Sequence, residues 1–333
     1  MKKTVYLMLS IVMLTVLAAC GDQNSNEPGE SAYSGVQAGT PNSASTEPAD
    51  QQPGTRTITY LGTEYQVAEK AERIVITGAL EAMEDSILLD IHPVGAISSA
   101  GVFPTMFASI TDQAESIGEK INPNFEKILS LKPDVILGST KFDAAVLDKL
   151  GQIQTTIPYS HIATNWEANL LLLGELSGKQ EQAQQLIDTY KQDLEQAKMV
   201  VKEDLKDKQV LVVRIREGAI CIYGPKLYFN PLLYEDLGLS VPDTVAAADS
   251  QEALSIEQFA MMNPDVLFIQ YSEDENPENT SVLTELEKNP IYQSVNAVKN
   301  GQVFVNAVDP LAQGGTAYSK IEFLKAFMAK VKS

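Results

Sequence analysis

The chain contains two related stretches, FEKILSLKPDVIL at positions 125–137 and IEQFAMMNPDVLF at positions 256–268, which lie 131 positions apart. In each stretch, apolar residues first recur at the spacing of a short helix, and the second residue is an acid. A proline seven residues after that acid ends the helix, and an Asp-Val pair then begins an apolar strand. One such helix–strand unit is common in α/β proteins. Two units at corresponding places predict two similar lobes, and a cleft between lobes is a natural place for a ligand.

Strands and helices alternate on both sides of these stretches. In the first half we predict a hairpin near 57–66, strands at 73–77, 93–98, 116–118, 134–140 and 155–158, and helices at 80–89, 124–131 and 143–150. In the second half we predict strands at 209–216, 219–223, 265–271 and 302–307, and helices at 231–237, 255–262, 282–288 and 318–331. This alternation predicts two Rossmann-like α/β lobes, the first built on a parallel sheet that is covered on both faces.

Residues 165–205 contain no proline, and their apolar residues recur at helical spacing, with Gly174 and Gly178 as the weak points. We predict a single helix here, which would be about 50 Å long if unbroken. One stiff helix between the lobes would restrict hinge closure. The predicted globular part is therefore an N-terminal lobe at 56–164, a joining helix at 165–205 and a C-terminal lobe at 206–333.

The first 20 residues have the pattern of an export signal. Lys2 and Lys3 precede an apolar stretch at 5–17, and small residues then lead to Cys20. The alternative is a transmembrane helix followed by an incidental cysteine, but the stretch is shorter than the roughly 20 residues that span a membrane. We therefore predict a signal peptide at 1–19. Positions 20–55 are polar and rich in Gly and Pro, which predicts a disordered tether that reaches about 30–35 Å.

The charge and the metal-binding residues exclude several classes of function. The formal net charge is −19, and removal of residues 1–19, with their two lysines and no acids, would make it −21. This balance argues against nucleic acid and an anionic membrane surface as partners. Only two histidines, His92 and His161, are present, so a metal site of several imidazoles is excluded. Cys221 lies in an apolar run and is expected to be a core residue without a disulfide partner.

Four basic residues are candidates for binding a ligand. Lys120 follows one short predicted strand and Lys141 ends another, at the sheet edge where ligands of open α/β sheets bind. Arg214 and Arg216 are two apart on a predicted strand and therefore share one face. Cations from two lobes that face one cleft would repel each other unless an anion lay between them. The alternative is that these are ordinary solvated surface charges.

Two acids and two polar side chains complete the candidate set. Glu126 and Glu257 occupy the first turns of equivalent helices, where an acid interacts favourably with the helix dipole. Their equivalence also suits a two-fold partner, and the residues alone leave both interpretations open. Tyr223 and Gln313, near strands of the second lobe, could line a pocket or pack in the core. The sequence lacks a Gly-x-Ser-x-Gly elbow, a Walker loop, a Gly-x-Gly-x-x-Gly loop and a His-Glu-x-x-His motif, which argues against an enzyme.

The export signal ending in a cysteine, the tether, the two lobes, the joining helix and the doubled Glu-x6-Pro-Asp-Val unit together resemble one family. It is the iron-siderophore and cobalamin group, class III, of ABC-transporter substrate-binding proteins. The resemblance implies a rigid two-lobed fold and a lipidated, palmitate-bearing Cys20 that anchors the chain outside the cell membrane. It also implies that Glu126 and Glu257 dock onto arginines of a dimeric permease.

Within that group, the basic residues resemble those of the binders of ferric triscatecholate siderophores. The resemblance assigns Lys120, Lys141 and Arg216 to the three cation positions of those proteins, with Arg214 beside Arg216. Glu217, next to Arg216, departs from this pattern because it could pair with that arginine. Iron would be held by the siderophore, so no cofactor or metal of the protein's own is expected, and the chain would act as a monomer.

Two other functions stay open at this point. A protein of the same class could carry a hydroxamate siderophore, haem or cobalamin instead. A surface hydrolase or esterase that acts on siderophores is the third interpretation, and it would consume the ligand rather than only bind it.

Overall fold

The computed structural model describes residues 54–331. The predicted signal peptide, Cys20 and the tether up to residue 53 lie outside the described residues. An antiparallel hairpin of β1 (Thr55–Tyr60) and β2 (Thr63–Ala68) opens the described part. Within 54–331, no helix combines the length and apolar character that crossing a membrane requires.

The first lobe is built on a five-stranded sheet with the order β5-β4-β3-β6-β7, in which every pair of neighbours is parallel. The strands are β3 (Ile74–Thr77), β4 (Gly95–Ala96), β5 (Glu115–Ser116), β6 (Val135–Ser139) and β7 (Thr156–Tyr159). Its helices are α1 (Leu80–Leu89), α2 (Phe125–Ser130) and α3 (Ala144–Gly151). Ile76 on one face of this sheet belongs to the main core, whereas Val75 and Ile136 on the other face pack with residues of α2 and α3 in a smaller cluster. The predicted coverage of both faces is confirmed.

The second lobe has a mixed five-stranded sheet with the order β10-β9-β8-β11-β12. Its strands are β8 (Val210–Arg216), β9 (Ala219–Tyr223), β10 (Gln251–Leu254), β11 (Val266–Tyr271) and β12 (Val303–Val305). Strands β8, β11 and β12 are parallel, and β9 is antiparallel to β8 and β10. Its helices are α6 (Asp243–Ala247), α7 (Ile256–Met262), α8 (Val282–Lys288), α9 (Pro290–Gln293), α10 (Asn296–Lys299) and α11 (Ala317–Val331), with a π-helical segment at Pro231–Asp236. The two-lobed α/β fold is confirmed.

The aspartate of the repeated sequence unit makes corresponding contacts in both lobes. Each Pro-Asp pair lies between a short helix and a strand, and the valine that follows begins that strand, β6 in the first lobe and β11 in the second. The Asp134 carboxylate accepts hydrogen bonds from the backbone N–H groups of Glu72 and Arg73, at 2.9 and 2.8 Å, just before β3. The Asp265 carboxylate accepts one from Gln209 N–H, at 2.9 Å, just before β8. The aspartate therefore ties the start of each central strand to its neighbour, which explains why the unit recurs.

The predicted single helix at 165–205 is wrong in its extent. The segment forms α4 (Trp166–Ser177) and α5 (Gln180–Asp204), because Gly178 adopts the left-handed conformation, with φ of 72°, and ends α4. At 25 residues, α5 is about 37 Å long. The C-terminal helix α11 packs against α1, α4 and α5, so the chain returns to the first lobe at its end.

Candidate ligand-binding cleft

Lys120 is carried by a tight loop at the carboxyl edge of the first sheet. Gly118 has φ of 104°, which favours glycine, and a Cβ there would lie 2.5 Å from the Asn122 carbonyl oxygen. Backbone hydrogen bonds of 3.2 Å in both directions between Glu119 and Asn122 close the loop. Lys120 therefore projects from a loop with little freedom, at the sheet edge predicted from the sequence.

Arg214 is the most buried of the four cations. It lies on β8 and is only 8% exposed. Its guanidinium donates from Nε to Glu275 Oε2 at 2.6 Å and from a terminal nitrogen to Glu275 Oε1 at 2.8 Å, and it lies 5.4 Å from the centre of the Tyr228 ring. The bidentate contact fixes the plane of the guanidinium.

Arg216 ends the same strand and is more accessible, with 44% of its side chain exposed. Its Nε lies 3.7 Å from Glu275 and 3.9 Å from Glu217. Glu217 is 81% exposed in its side chain, so its pairing with Arg216 is long and well solvated. The pairing anticipated from the sequence is therefore present but weak, and Arg216 keeps donors free for a ligand.

These residues meet in a cavity of about 170 Å³ between the lobes. Lys120 reaches it from the first lobe, and Arg214, Arg216 and Gln313 reach it from the second. The other lining residues are Leu80, Pro104, Phe107, Glu275 and Leu311. The structure thus brings together four of the six predicted ligand-binding residues. A separate cavity of about 210 Å³ between α5 and α11 contains none of them.

A larger cavity of about 600 Å³ adjoins the first, because Pro104 and Leu311 line both. Its remaining walls are Ser99, Val102, Phe103, Thr105 and Met106 from the first lobe and Ser272, Asp274, Asp309 and Pro310 from the second. We call the two cavities together the cleft. The smaller cavity is basic, whereas the larger one is mixed apolar and polar, with Asp274 and Asp309 as its charged residues. The basic end suits an anionic group and the other end suits the organic periphery of a bulky ligand.

Lys141 lies apart from the residues that line the cleft. It follows β6, as predicted, but its ammonium donates to Glu81 Oε1 at 2.8 Å, and the Glu81 side chain is 8% exposed. Lys120, in contrast, has no ion-pair partner among residues 54–331. The pKa of Lys120 lies below its ordinary value, first because the cleft shields its ammonium from water and next because of the Lys141 charge, followed by Arg214 and Arg216. Lys120, Arg214 and Arg216 line one cavity, and the Lys141 charge acts on Lys120 as well.

Tyr223 and Gln313 occupy different surroundings. Gln313 lines the smaller cavity, and its Nε2 donates to the Leu311 carbonyl at 2.8 Å. Tyr223, on β9, donates its hydroxyl to Gln251 Oε1 at 2.8 Å, and its ring stacks on Tyr228 at 4.5 Å. It therefore supports the aromatic layer beneath Arg214 instead of lining the cleft. Cys221 on the same strand is buried, as predicted, and forms no disulfide within residues 54–331.

Sequence reasoning missed the two acids that pair with these cations. Glu81 lies in the first turn of α1, which follows β3 at the same sheet edge as Lys120, so the topological rule that selected the lysines could have selected it as well. Glu275 lies in the acidic loop SEDENPEN, 61 positions from Arg214, with no local pattern to single it out. The smaller cavity, lined by Lys120, Arg214, Arg216 and Glu275, therefore keeps a net positive charge, which favours an anionic group of the ligand at that end of the cleft.

Glu126 and Glu257 are exposed in the first turns of α2 and α7. Within the described part of the chain, neither carboxylate forms a hydrogen bond or an ion pair. The helices begin with equivalent caps: Asn124 accepts from Lys127 N–H at 3.0 Å, and Ser255 accepts from Gln258 N–H at 3.1 Å. Both carboxylates are therefore available to a partner, and other side chains cap their helices. Residues 54–331 contain no group of three or more His, Cys, Asp or Glu residues placed to hold a metal ion.

Comparison with known proteins identifies the family. Residues 103–307 match the family described as periplasmic binding protein. The chain is 47% identical over 331 residues to the iron-uptake system-binding protein of Bacillus subtilis (strain 168), with 99% of both chains covered.

Solved structures of similar proteins agree with this family match. One is the triscatecholate siderophore binding protein FeuA from Bacillus subtilis complexed with ferri-bacillibactin, at 52% identity and a TM-score of 0.77, covering 83% of this chain and 98% of that chain. The petrobactin-binding protein YclQ from Bacillus subtilis is 20% identical, covers 84% of this chain and 99% of that chain, and shares the fold with a TM-score of 0.72. The two lobes, the cleft between them and these matches lead to one conclusion: the chain belongs to the periplasmic binding protein family.

Proposed function

We propose that this chain is the substrate-binding protein of an iron-uptake ABC importer and that it binds a ferric triscatecholate siderophore in the cleft. The observation that carries the proposal is the convergence of Lys120, Arg214 and Arg216, from two lobes, on one cavity. A ferric triscatecholate carries three negative charges and an organic periphery. One unit pair at 4 Å is worth roughly 4 kcal/mol at an effective dielectric constant of 20, before desolvation. The crystal structure of FeuA with ferri-bacillibactin supports this choice of cargo.

The protein acts by binding and not by catalysis. Lys141 adds to the positive potential at Lys120, while Glu81 and Glu275 hold Lys141 and Arg214 in place. Because these two acids offset part of the positive charge, the cleft is less basic than four free cations would be. This observation favours the second candidate, a less charged cargo such as a hydroxamate complex, haem or cobalamin.

Titration of the purified protein with ferri-bacillibactin, a ferric trihydroxamate, haem and cobalamin tests the cargo. We expect fluorescence quenching with ferri-bacillibactin at the lowest concentration, and mass spectrometry should recover that ligand intact. Tighter binding of the hydroxamate complex, haem or cobalamin would overturn the cargo assignment. Cleavage of the siderophore would identify a hydrolase.

The proposed location is the outer face of the cell membrane, through a lipid on Cys20 only. The proposal divides the chain into a signal peptide at 1–19, a tether at 20–55, lobes at 56–164 and 206–333 and a joining segment at 165–205. A relative that is 27% identical over 313 residues is described as a probable siderophore-binding lipoprotein, which supports the anchor. Cys20→Ala should be lost from the membrane fraction, and unchanged retention would contradict the anchor.

In the same proposal, Glu126 and Glu257 dock the protein, as a monomer, onto a dimeric permease. Their exposure, their lack of ion pairs within residues 54–331 and their equivalence in the two lobes support this role.

A further inference from the structure

A buried carboxyl of the first lobe holds the segment of the second lobe that lines the cleft. Glu84, on α1, is fully buried. Its Oε1 accepts a hydrogen bond from Gln313 N–H at 2.6 Å, and its Oε2 accepts from the hydroxyls of Thr316 at 2.5 Å and Ser319 at 2.7 Å. All three donors lie more than 200 positions away in the sequence. This one side chain therefore joins the lobes where the chain leaves the cleft and enters α11.

Asp85, the next residue, strengthens the same junction. It is fully buried and accepts hydrogen bonds from Tyr159 OH at 2.9 Å and from Tyr318 N–H at 3.2 Å. Among residues 54–331, neither acid has a Lys, Arg or His within ion-pair distance. The titratable groups that face the pair are Glu81 on the same helix and Tyr60, Tyr159, Tyr228 and Tyr318 on the elements packed against it.

Burial without a cation favours the protonated form of each acid. It raises the pKa of Glu84 to about 8, against the opposing effect of the hydrogen bonds from Thr316, Ser319 and Gln313. Burial also raises the pKa of Asp85 to about 7, against the opposing effect of the hydrogen bonds from Tyr318 and Tyr159. Both carboxyls therefore titrate near neutral pH.

The segment held by Glu84 has little room to move independently of the cleft. Gly314 has φ of 83°, and a Cβ there would collide with the backbone of Tyr228. A Cβ on Gly315 would lie 2.8 Å from Cβ of Ala163 in the first lobe. Leu311 and Gln313, just before these glycines, line the cleft. A change at Glu84 therefore reaches the ligand-binding surface through one short, tightly packed connection.

We propose that Glu84, supported by Asp85, is a positioning residue that fixes the cleft-lining residues Leu311 and Gln313 against the first lobe, so that the affinity of the cleft depends on whether this carboxyl carries a proton. The inference rests on the proposed function, since it assumes an anionic cargo. An ionised Glu84 adds negative charge beneath the cleft and opposes a trianion, whereas a protonated Glu84 keeps the hydrogen-bonded junction without that charge. Affinity for an anionic complex should therefore fall as pH rises through neutrality.

The test measures the affinity for ferri-bacillibactin at several pH values between about 6.5 and 8.5, with a ferric trihydroxamate as the less charged probe. Between the lowest and the highest pH, the affinity of wild type for ferri-bacillibactin should fall by a factor at least about five times larger than the fall in Glu84→Gln. That is a typical size for coupling between sites. Glu84→Gln, which resembles the permanently protonated acid, should match wild type at the lower pH. Glu84→Ala should bind more weakly at every pH, because Gln313 N–H loses its acceptor. With the trihydroxamate, wild type and Glu84→Gln should show similar profiles.

Matched variants make the result specific. Glu322→Gln, on α11 and paired with Lys325 at the surface, should keep the wild-type profile. Thr316→Val removes one donor to the carboxylate, so it should move the midpoint of the profile to higher pH, and it serves as the second variant if Glu84→Gln does not fold. A Glu84→Gln profile that coincides with wild type overturns the inference, as does an unmoved midpoint in Thr316→Val.

If wild type binds no ferri-bacillibactin at any pH, the proposed function fails, and the junction is tested by stability alone. The folded-state pKa values of Glu84 and Asp85 lie above their unfolded values, so the native state binds more protons between about pH 4 and pH 8. The contribution of these acids to stability should then decline as pH rises through that window. The decline should be smaller in Glu84→Gln, and an equal decline would overturn the proposed role of this carboxyl.

Discussion

Arg214 and Arg216 are two residues apart on β8 and line the same cavity, yet their surroundings give them different tasks. Arg214 is nearly buried and held by both oxygens of Glu275, whereas Arg216 is half-exposed and only loosely paired. A buried ion pair is costly to break because the remaining charge is left without a partner. Removal of an accessible guanidinium costs the protein little stability. Its free donors, however, are available to an anionic ligand.

We therefore expect Arg214→Ala to destabilise the protein and Arg216→Ala to weaken binding. Arg214→Ala leaves the Glu275 carboxylate without its partner and should cost about 3 kcal/mol in free energy of unfolding. Arg216→Ala should change that free energy by less than about 1 kcal/mol. It should lower the affinity for ferri-bacillibactin about tenfold, the equivalent of one charge-assisted hydrogen bond.

Denaturant unfolding and ligand titration of both variants measure the two effects. Glu217→Gln, which removes only the solvated neighbour of Arg216, is the control and should differ little from wild type in both measurements. Comparable losses of stability in the two arginine variants would contradict the division of tasks.

The loop between β5 and α2 shows how backbone conformation positions a functional side chain. Lys120 has no ion pair within residues 54–331 to orient it, so its direction depends on the closed loop that begins at Gly118. The break at Gly178 is a different case. That glycine also has positive φ, but a Cβ added to it would lie in open space, more than 4 Å from its neighbours among residues 54–331.

These two glycines give a matched pair of alanine variants. Both substitutions place a side chain at positive φ, which costs roughly 1–2 kcal/mol in free energy of unfolding. Gly118→Ala also forces its Cβ against the Asn122 carbonyl, so the loop must shift and Lys120 with it. We expect Gly118→Ala to weaken ferri-bacillibactin binding several-fold and Gly178→Ala to leave the affinity unchanged. Equal affinities in the two variants would show that the loop does not position Lys120.

The two lobes together present a pair of equivalent acids, a feature that neither lobe has alone. Asn124 and Ser255 cap the two helices, so Glu126 and Glu257 contribute to stability only through the helix dipole. That interaction is worth about 0.3–1 kcal/mol for each acid. Side chains that contribute so little to folding and form no hydrogen bond or ion pair within residues 54–331 are suited to an external partner.

We expect the double variant Glu126→Ala/Glu257→Ala to retain its affinity for ferri-bacillibactin and to lose less than about 2 kcal/mol in free energy of unfolding. Iron uptake through the permease should fall strongly in cells that carry it. Glu322→Ala, another acid near the surface, should transport normally. Full transport by the double variant would show that these acids do not dock the protein. Unfolding or loss of affinity would show that they support the fold instead.

Local patterns in the sequence were sufficient for the two-lobed α/β fold and for most of its elements. Helix α1 and strand β9 have the predicted bounds, because apolar periodicity and strand alternation report directly on which faces are buried. The short elements β10, α6, α9 and α10 were not predicted, since four or five residues carry too little periodicity. The helix break at Gly178 was visible as a weak point, but apolar spacing continued across it.

The sequence also predicted four candidate cations, two from their place at strand ends in an open α/β sheet and two from their shared face of a strand. Tertiary structure decided how those cations are used: Glu275 holds Arg214, Glu81 holds Lys141, and Lys120 reaches the cleft without an ion pair among residues 54–331. It also brought Glu84 to a segment more than 200 positions away. Such pairings depend on how the lobes pack, and packing between distant segments leaves no periodic pattern in the sequence.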